Sequence, residues 1–134
     1  MINHSIRFFV TLIGASALLA VAASAFAGDS SEEAAAAASH AGYAAKATDI
    51  KQVHMHLHHT VNCLVGPKGD GFDASQANPC AAEGDGAIPD TSDAATKEKL
   101  MDALKMAKMG LASDDLATAQ KEASETEMAL KKIM

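Results

Sequence analysis

Histidines cluster in one short segment of this chain, and their spacing suits metal binding. Four of the six histidines fall within six consecutive positions, which read His54-Met55-His56-Leu57-His58-His59. Neutral imidazole is a common ligand of Cu(II), Zn(II) and Ni(II). So dense a run, in a chain with few other histidines, favours metal or cofactor binding. A pH-responsive surface and an ordinary solvated surface are the alternatives.

On a helix these histidines divide into two pairs rather than one ring. At about 100° per residue, His54 and His58 flank one side of the apolar stripe that runs from Ile50 to Leu64, and His56 and His59 flank the other. Side chains three or four residues apart on a helix are neighbours, so each pair can present two imidazoles to one ion. A tight zinc site needs three or four ligands, and the remainder must therefore come from elsewhere in the chain.

Further ligands are available near the histidine run. His40 could join it if the chain folds back at Gly42, and Met55 precedes His59 by four residues. A thioether suits Cu(I). We therefore expect a transition-metal site, with copper as the leading metal and zinc or nickel as alternatives. Its candidate ligands are His40, His54, Met55, His56, His58 and His59.

Other candidate ligands have simpler interpretations. The methionines of the predicted second helix are interpreted as gap-filling or interface residues; they are Met101, Met106 and Met109. Asp70 and Asp73 lack the complete D-x-D-x-D-G calcium pattern and are interpreted as turn residues. Together with Asp85 they remain available as loop carboxylates.

Cys63 and Cys80 are the only cysteines of the chain. In an oxidising compartment such a pair predicts a disulfide, which would stabilise the fold by roughly 3 kcal/mol on the chain-entropy account. The alternative is a reduced thiol pair that ligates metal or carries out redox chemistry. The chain has neither the C-x-x-C pattern of disulfide exchange nor the C-x-x-C-H pattern of covalent haem. We expect the disulfide to tie a long loop to the end of the histidine-bearing helix.

The elements that must position these groups are predicted to be helices. Ser30 and Glu33 form a capping-box pattern at the start of an alanine-rich segment. The stripe of the histidine-bearing helix follows this segment and ends at Gly66-Pro67. Glycines and prolines then punctuate residues 66–93, which predicts a long loop.

Two further helices are predicted after this loop. Thr91-Ser92-Asp93 suits the start of one, and Ser113 can cap the other. No segment shows the period-two alternation of a strand. The predicted fold is therefore all-α: an antiparallel bundle of three long helices, or of four if Gly42 divides the first, with the loop tied down by the disulfide.

The N-terminus predicts export. Arg7 precedes the apolar run from Phe8 to Ala23, and Ala25-Phe26-Ala27 matches an A-x-A cleavage site. We expect residues 1–27 to be a cleaved signal peptide and residues 28–134 to form a single helical domain in the periplasm. An uncleaved membrane anchor is the alternative, since the apolar run approaches the length of a spanning helix.

Charge and composition argue against several classes of function. The chain has 11 Lys and Arg against 17 Asp and Glu, a formal net charge of −6; Arg7 is the only one of these residues within 1–27, so its removal leaves −7. An acidic chain is unsuited to nucleic acid and, once the signal peptide is removed, to an anionic membrane surface. The G-x-S-x-G, P-loop and H-E-x-x-H motifs are absent, and we do not expect an enzyme.

A signal-peptide pattern, a histidine cluster on a helix and a small-residue helical hairpin occur together in this chain; the hairpin runs from Ala103–Gly110 through Ala117–Gln120. In this combination it resembles the small histidine-rich helical-bundle metal-binding proteins of the bacterial periplasm. Those proteins repeat histidine throughout their helices, whereas the last two predicted helices here contain none and a cysteine-bearing loop is added. The resemblance therefore implies one or two discrete sites that store, deliver or sense an ion.

Two other functions are open on the sequence alone. A haem-binding helical protein would use one of these histidines as an axial ligand, although aromatic residues make up only 4% of the chain. A non-enzymatic interaction module, such as an envelope-stress adaptor, would use the cluster as a pH or metal sensor and show an exposed apolar patch or a dimer. The expected partners are a metal ion and, in the second case, an envelope protein, with the chain as a monomer or homodimer.

Overall fold

The computed structural model describes residues 28–134, which form helices joined by short and long connections. The predicted signal peptide, residues 1–27, lies outside the described residues. In chain order the helices are α1 (Ser30–Lys46), α2 (Ile50–Val65), α3 (Ala87–Asp90), α4 (Ala94–Leu111) and α5 (Leu116–Lys131). No strand occurs between residues 28 and 134, and the predicted all-α class is confirmed. No helix in this range is both long and apolar enough to span a bilayer.

The chain ends α1 and starts α2 at residues 47–49, not at Gly42 as the sequence suggested. Gly42 is buried inside α1, and a Cβ at this position would stand 2.8 Å from Oε1 of Glu127 on α5. Gly42 therefore leaves room for the Glu127 carboxylate of α5 instead of interrupting its own helix. α2 begins after Asp49, whose side chain accepts a hydrogen bond from the Gln52 N–H.

The predicted capping box at the start of α1 is wrong. The Asp29 carboxylate caps this helix, accepting hydrogen bonds from the backbone of its first turn. The Ser30 hydroxyl instead donates to the Ala87 carbonyl, and Oε1 of Glu33 accepts from the Gly86 N–H. Both side chains are thus taken up by contacts with α3 and its N-cap, which no local pattern reveals.

Aspartates also cap the two C-terminal helices. α4 begins after Asp93, in the predicted Thr91-Ser92-Asp93 segment, and Asp93 accepts from the Thr96 N–H at 2.7 Å. α5 is capped by Asp115, which accepts from the Thr118 N–H at 2.8 Å. The predicted Ser113 cap is therefore wrong by two residues. A carboxylate in the cap position also interacts favourably with the positive end of the helix dipole.

A core rich in alanine and leucine lies between the long helices. α1 packs against α2 and α5, and α4 packs against α5 and α2. The apolar stripe of α2 is buried at Val53, Leu57, Val61 and Leu64, as its helical spacing predicts. The buried apolar side chains of α1 are all alanines, so its backbone can lie close to α2. Close packing of these two helices is what brings their flanking side chains together.

Cys63 and Cys80 form a disulfide, as predicted, and both are buried. Within the predicted loop 66–93, residues 66–86 contain turns but no helix, whereas α3 occupies residues 87–90. The bond fixes residues 66–86 to the C-terminal end of α2. The Asn62 side chain strengthens this connection, since its amide donates to the carbonyls of Asp73 and Ala77 and its oxygen accepts from the Asp73 N–H. Because both sulfurs are bonded, the alternative of a reduced thiol pair as metal ligands is wrong.

Candidate metal centre

α1 and α2 carry three histidines that converge at one place, the three-histidine centre. His40 lies on α1, and His56 and His59 lie one turn apart on α2. The buried Thr60 hydroxyl bridges the carbonyls of Ala37 on α1, at 3.2 Å, and of His56 on α2, at 3.0 Å. Ala37 is one turn before His40, and Thr60 directly follows His59. This contact between the two helices therefore helps to set the relative position of the imidazoles.

The geometry of the three imidazoles suits one metal ion. A ligand nitrogen from each of His40, His56 and His59 lies within 4.8 Å of the other two. Nδ1 of His40 and Nδ1 of His56 are 3.4 Å apart. Two nitrogens bound tetrahedrally to Zn²⁺ at roughly 2.1 Å stand about 3.4 Å from each other. The pair therefore already has the separation that a shared ion requires, and three ligands match a site that keeps one position open.

The three imidazole rings and the Tyr43 ring pack against one another at this site. The His59 ring stands nearly perpendicular to the His40 ring, with centroids 5.0 Å apart, and to the His56 ring, at 5.7 Å. Tyr43, one turn after His40 on α1, lies 5.5 Å from both the His40 and the His56 ring and is 54% exposed. Sequence reasoning missed Tyr43, although its three-residue spacing from His40 was a usable signal.

The surroundings hold these imidazoles in the neutral form. Burial, followed by the neighbouring His59 and His56, lowers the pKa of His40 to about 4. Burial also lowers the pKa of His56 and, with His56 and His58 as further causes, that of His59. A neutral imidazole can offer its lone pair to a metal without first losing a proton. Nδ1 of His59 is buried and has no hydrogen-bond partner among the described residues, which is an unusual state for a buried polar atom.

The other predicted ligands have different surroundings. Nε2 of His54 lies 2.9 Å from the carbonyl oxygen of Ser113, to which it can donate, and this contact links α2 to the α4–α5 connection. Nδ1 of His58 lies 3.6 Å from the Asp73 carboxylate of the loop. The Met55 side chain is 38% exposed. Between residues 28 and 134, the three-histidine centre is the one group of three His, Cys, Asp or Glu residues close enough to share an ion.

Two of the three loop carboxylates considered as further ligands pair with lysines. Asp70 lies 3.3 Å from Nζ of Lys108, and Asp85 lies 3.7 Å from Nζ of Lys68. Both pairs are solvent-exposed, so each adds little to stability. Neither carboxylate belongs to the three-histidine centre.

Comparisons of the chain with protein-family models, with curated protein sequences and with solved structures find no match. The function is therefore inferred from the geometry and chemistry of the site.

Proposed function

We propose that this protein binds one transition-metal ion through His40, His56 and His59. The observation that carries the proposal is the convergence of three imidazoles, each with a lowered pKa, within 4.8 Å. Nδ1 of His59 adds support, since it has no hydrogen-bond partner among the described residues and coordination through this atom would satisfy it. His54, outside the centre, has a protein partner in the Ser113 carbonyl.

Copper is the metal we propose, with zinc and nickel as alternatives. For one set of nitrogen ligands, affinity rises from Ni(II) to Cu(II) and falls again at Zn(II). Met55 lies four residues before His59 on α2, a spacing that makes the two side chains neighbours on the helix, and its thioether would favour Cu(I). The three-histidine centre contains no carboxylate, which disfavours hard cations such as Ca²⁺ and Mg²⁺.

We further propose that the mature chain works in the periplasm and delivers or senses the ion rather than storing it. The disulfide suits an oxidising compartment, and the pattern of residues 1–27 suits export. Three protein ligands leave a coordination position free, and the neighbouring Tyr43 is exposed. An ion held in this way can be exchanged with a partner, which is the property that delivery or sensing needs.

Calorimetric titration of the exported protein with Cu(II), Zn(II) and Ni(II) tests the proposal. We expect one ion per chain, and we expect the His40→Ala/His56→Ala/His59→Ala variant to lose this binding. The matched control, His54→Ala/His58→Ala, removes two histidines of the same run outside the three-histidine centre and should keep it. Equally weak uptake by the wild type and the triple variant would refute the proposal. Haem added in the same series tests the haem alternative through its Soret band.

A second candidate function, self-association as an interaction module, is favoured by the outer face of α4. Met101 and Met109 on this face are 53% and 49% exposed. Beside Met101, a cavity of about 440 Å³ opens between α4, α3 and the loop after α2, and its apolar lining residues are Val65, Ile88, Pro89, Met101 and Leu104. Exposed apolar surface of this kind marks interaction sites. Sedimentation velocity should then show a dimer that Met101→Glu dissociates, and a monomer at high concentration would count against this function.

A further inference from the structure

Three carboxyl groups lie close to one another, and one of them borders Gly28. They belong to Glu33 in the first turn of α1, to Glu83 in the loop and to Asp90 at the end of α3; together they are called the acidic cradle. None of the ion pairs between residues 28 and 134 gives a member of the cradle a Lys, Arg or His partner.

Glu33 is the buried member of the acidic cradle, with 0% of its surface exposed. Its Oε1 accepts from the Gly86 N–H at 2.8 Å, but its Oε2 is buried without a hydrogen-bond partner, as is Oε2 of Glu83. Burial, together with the Asp90 and Glu83 carboxylates, raises the pKa of Glu33 to about 7 against the opposing effect of the Gly86 hydrogen bond. A buried carboxylate without a counter-charge is unfavourable, and no Lys, Arg or His between residues 28 and 134 supplies one to the cradle.

Gly28 is held directly against the acidic cradle. The N–H of the next residue, Asp29, donates to the Glu83 carbonyl at 3.2 Å. A Cβ on Gly28 would stand 1.8 Å from Oδ2 of Asp90 and 2.7 Å from Cα of Gly84. These distances leave room for hydrogen only, so the Gly28 backbone contacts the Asp90 carboxylate and no residue with a side chain fits. The Gly28 nitrogen is bonded directly to the Cα atom that borders this carboxylate.

We propose that the acidic cradle is the binding site for the α-ammonium group of Gly28, which forms when the Ala27–Gly28 bond is hydrolysed. This is the bond at which the Ala25-Phe26-Ala27 pattern predicts cleavage by signal peptidase. One water is consumed: Ala27 leaves as a carboxylate, and the proton released is taken up by the new amine of Gly28. An α-amino group with a pKa of about 7.7–8 is mostly charged at pH 7, whereas before cleavage the same nitrogen is an uncharged amide.

Maturation and folding stability are thereby coupled. The mature chain gains a cation at carboxyl groups that have no Lys, Arg or His partner between residues 28 and 134. Because this cation favours the ionised carboxylate, the pKa of Glu33 falls, and the pKa of the α-ammonium rises above its ordinary value. The coupling rests on the predicted cleavage site and is independent of metal binding at the three-histidine centre.

The experiment uses the full-length precursor, expressed so that it is exported and processed, and a variant with one glycine inserted between Ala27 and Gly28. The insertion keeps the A-x-A pattern but moves the new α-ammonium one residue away from the cradle. We expect the mass of the wild-type product to begin at Gly28. Its α-amine pKa, followed by NMR, should be raised by about one unit, a tenfold gain in proton affinity. The insertion should lower the folding equilibrium constant in urea at pH 7 by a similar factor.

Asp90→Asn supplies the matched background, because it removes one charge of the cradle at nearly constant size. The insertion should have a much smaller effect there. A wild-type product that begins at another residue, or whose α-amine titrates with an ordinary pKa, would overturn the proposal, and so would an equal effect of the insertion in both backgrounds. If the mass shows that the insertion has moved the cleavage position, titration of the wild-type product decides by itself.

Discussion

The three-histidine centre and the acidic cradle are two clusters of like titratable groups that share α1, and their chemistry is opposite. His40 lies in the second half of this helix and Glu33 in its first turn. In both clusters burial disfavours the charged form. It lowers the pKa of His40 to about 4 and raises that of Glu33 to about 7. One cluster therefore collects uncharged bases, and the other contains a buried acid, Glu33, that is reluctant to ionise.

This difference determines what each cluster can bind. An uncharged imidazole keeps a lone pair, so the three-histidine centre can accept a metal ion at neutral pH without proton competition. A protonated carboxyl group is a poor ligand for a cation. The acidic cradle therefore needs a positive charge that the fold holds beside it, because such a charge favours the ionised carboxylate. A site bordered by exposed Tyr43 suits exchange, whereas one built on fully buried Glu33 suits a permanent intramolecular partner.

The largest expected effect on stability comes from removal of the disulfide. Its removal should also affect the two clusters differently. Glu83 and Asp90 follow Cys80 in the chain, whereas all three histidines lie on α1 and α2. The Cys63→Ala/Cys80→Ala variant should lose about 3 kcal/mol of unfolding free energy in urea unfolding. The α-amine pKa should also return toward its ordinary value, while one metal ion per chain is still bound. Loss of metal binding with an unchanged α-amine pKa would show that the three-histidine centre, and not the acidic cradle, depends on the disulfide.

Removal of His40 should weaken metal binding by roughly a hundredfold or more, since loss of an outer-shell partner alone costs 10–100-fold. His40 is the only member of the three-histidine centre on α1, and the remaining pair is too few for a tight site. Competition with a chelator of known affinity measures the change in His40→Ala. His54→Ala, on the same run, is the control, and equal affinities in the two variants would show that α1 contributes no ligand.

Opposite pH dependences should distinguish the clusters in the metal-free protein. The pKa of His40 is about 4 in the folded state and 6.5 ordinarily, so the unfolded chain binds more protons between these values. Stability should therefore fall as the pH drops from 6.5 toward 4, by at most about 1.4 kcal/mol per pH unit for one proton. Urea unfolding across this range should show a shallower decline for His40→Ala, and an unchanged slope would contradict the lowered pKa.

Glu33 should act in the reverse direction. Its pKa is about 7 in the folded state and 4.5 ordinarily, so the folded chain binds more protons, and stability should fall as the pH rises from 4.5 to 7. Glu33→Gln should remove this decline. If Gly28 carries the cation of the acidic cradle, the decline should be weak in the product that begins at Gly28 and stronger in the product with the inserted glycine. An equally strong decline in both products would count against that assignment.

The smallest effect is expected for His54→Ala. This change removes the contact of Nε2 with the Ser113 carbonyl and should lower the unfolding free energy by about 1 kcal/mol. Metal binding should stay unchanged, because His54 lies outside the three-histidine centre. If metal binding is lost while stability is kept, the histidines of α2 act as one set, and the division into two flanks is wrong.

Sequence reasoning predicts the helices and their burial well, but it fails where a distant group competes for a side chain. The apolar stripe of α2 correctly predicts which of its residues are buried. The helical spacing of these residues and the face that they bury are both local properties of one amphipathic helix. Ser30 and Glu33 also matched a local pattern, the capping box. Their actual partners, the Ala87 carbonyl and the Gly86 N–H, lie far along the chain, and the spacing of the first helix contains no information about them.

The sequence by itself determined that His56 and His59 are neighbours, since a three-residue spacing on a helix has this consequence wherever the helix lies. It also predicted the disulfide, because Cys63 and Cys80 are the only cysteines, and the structure excluded the reduced thiol pair. Only the tertiary structure decided that His40 joins the pair on α2. This depends on where the chain breaks between α1 and α2, at residues 47–49, and on how the alanine face of α1 packs against α2. Such contacts are set by the packing of whole helices, whereas sequence spacing describes the neighbours along one helix.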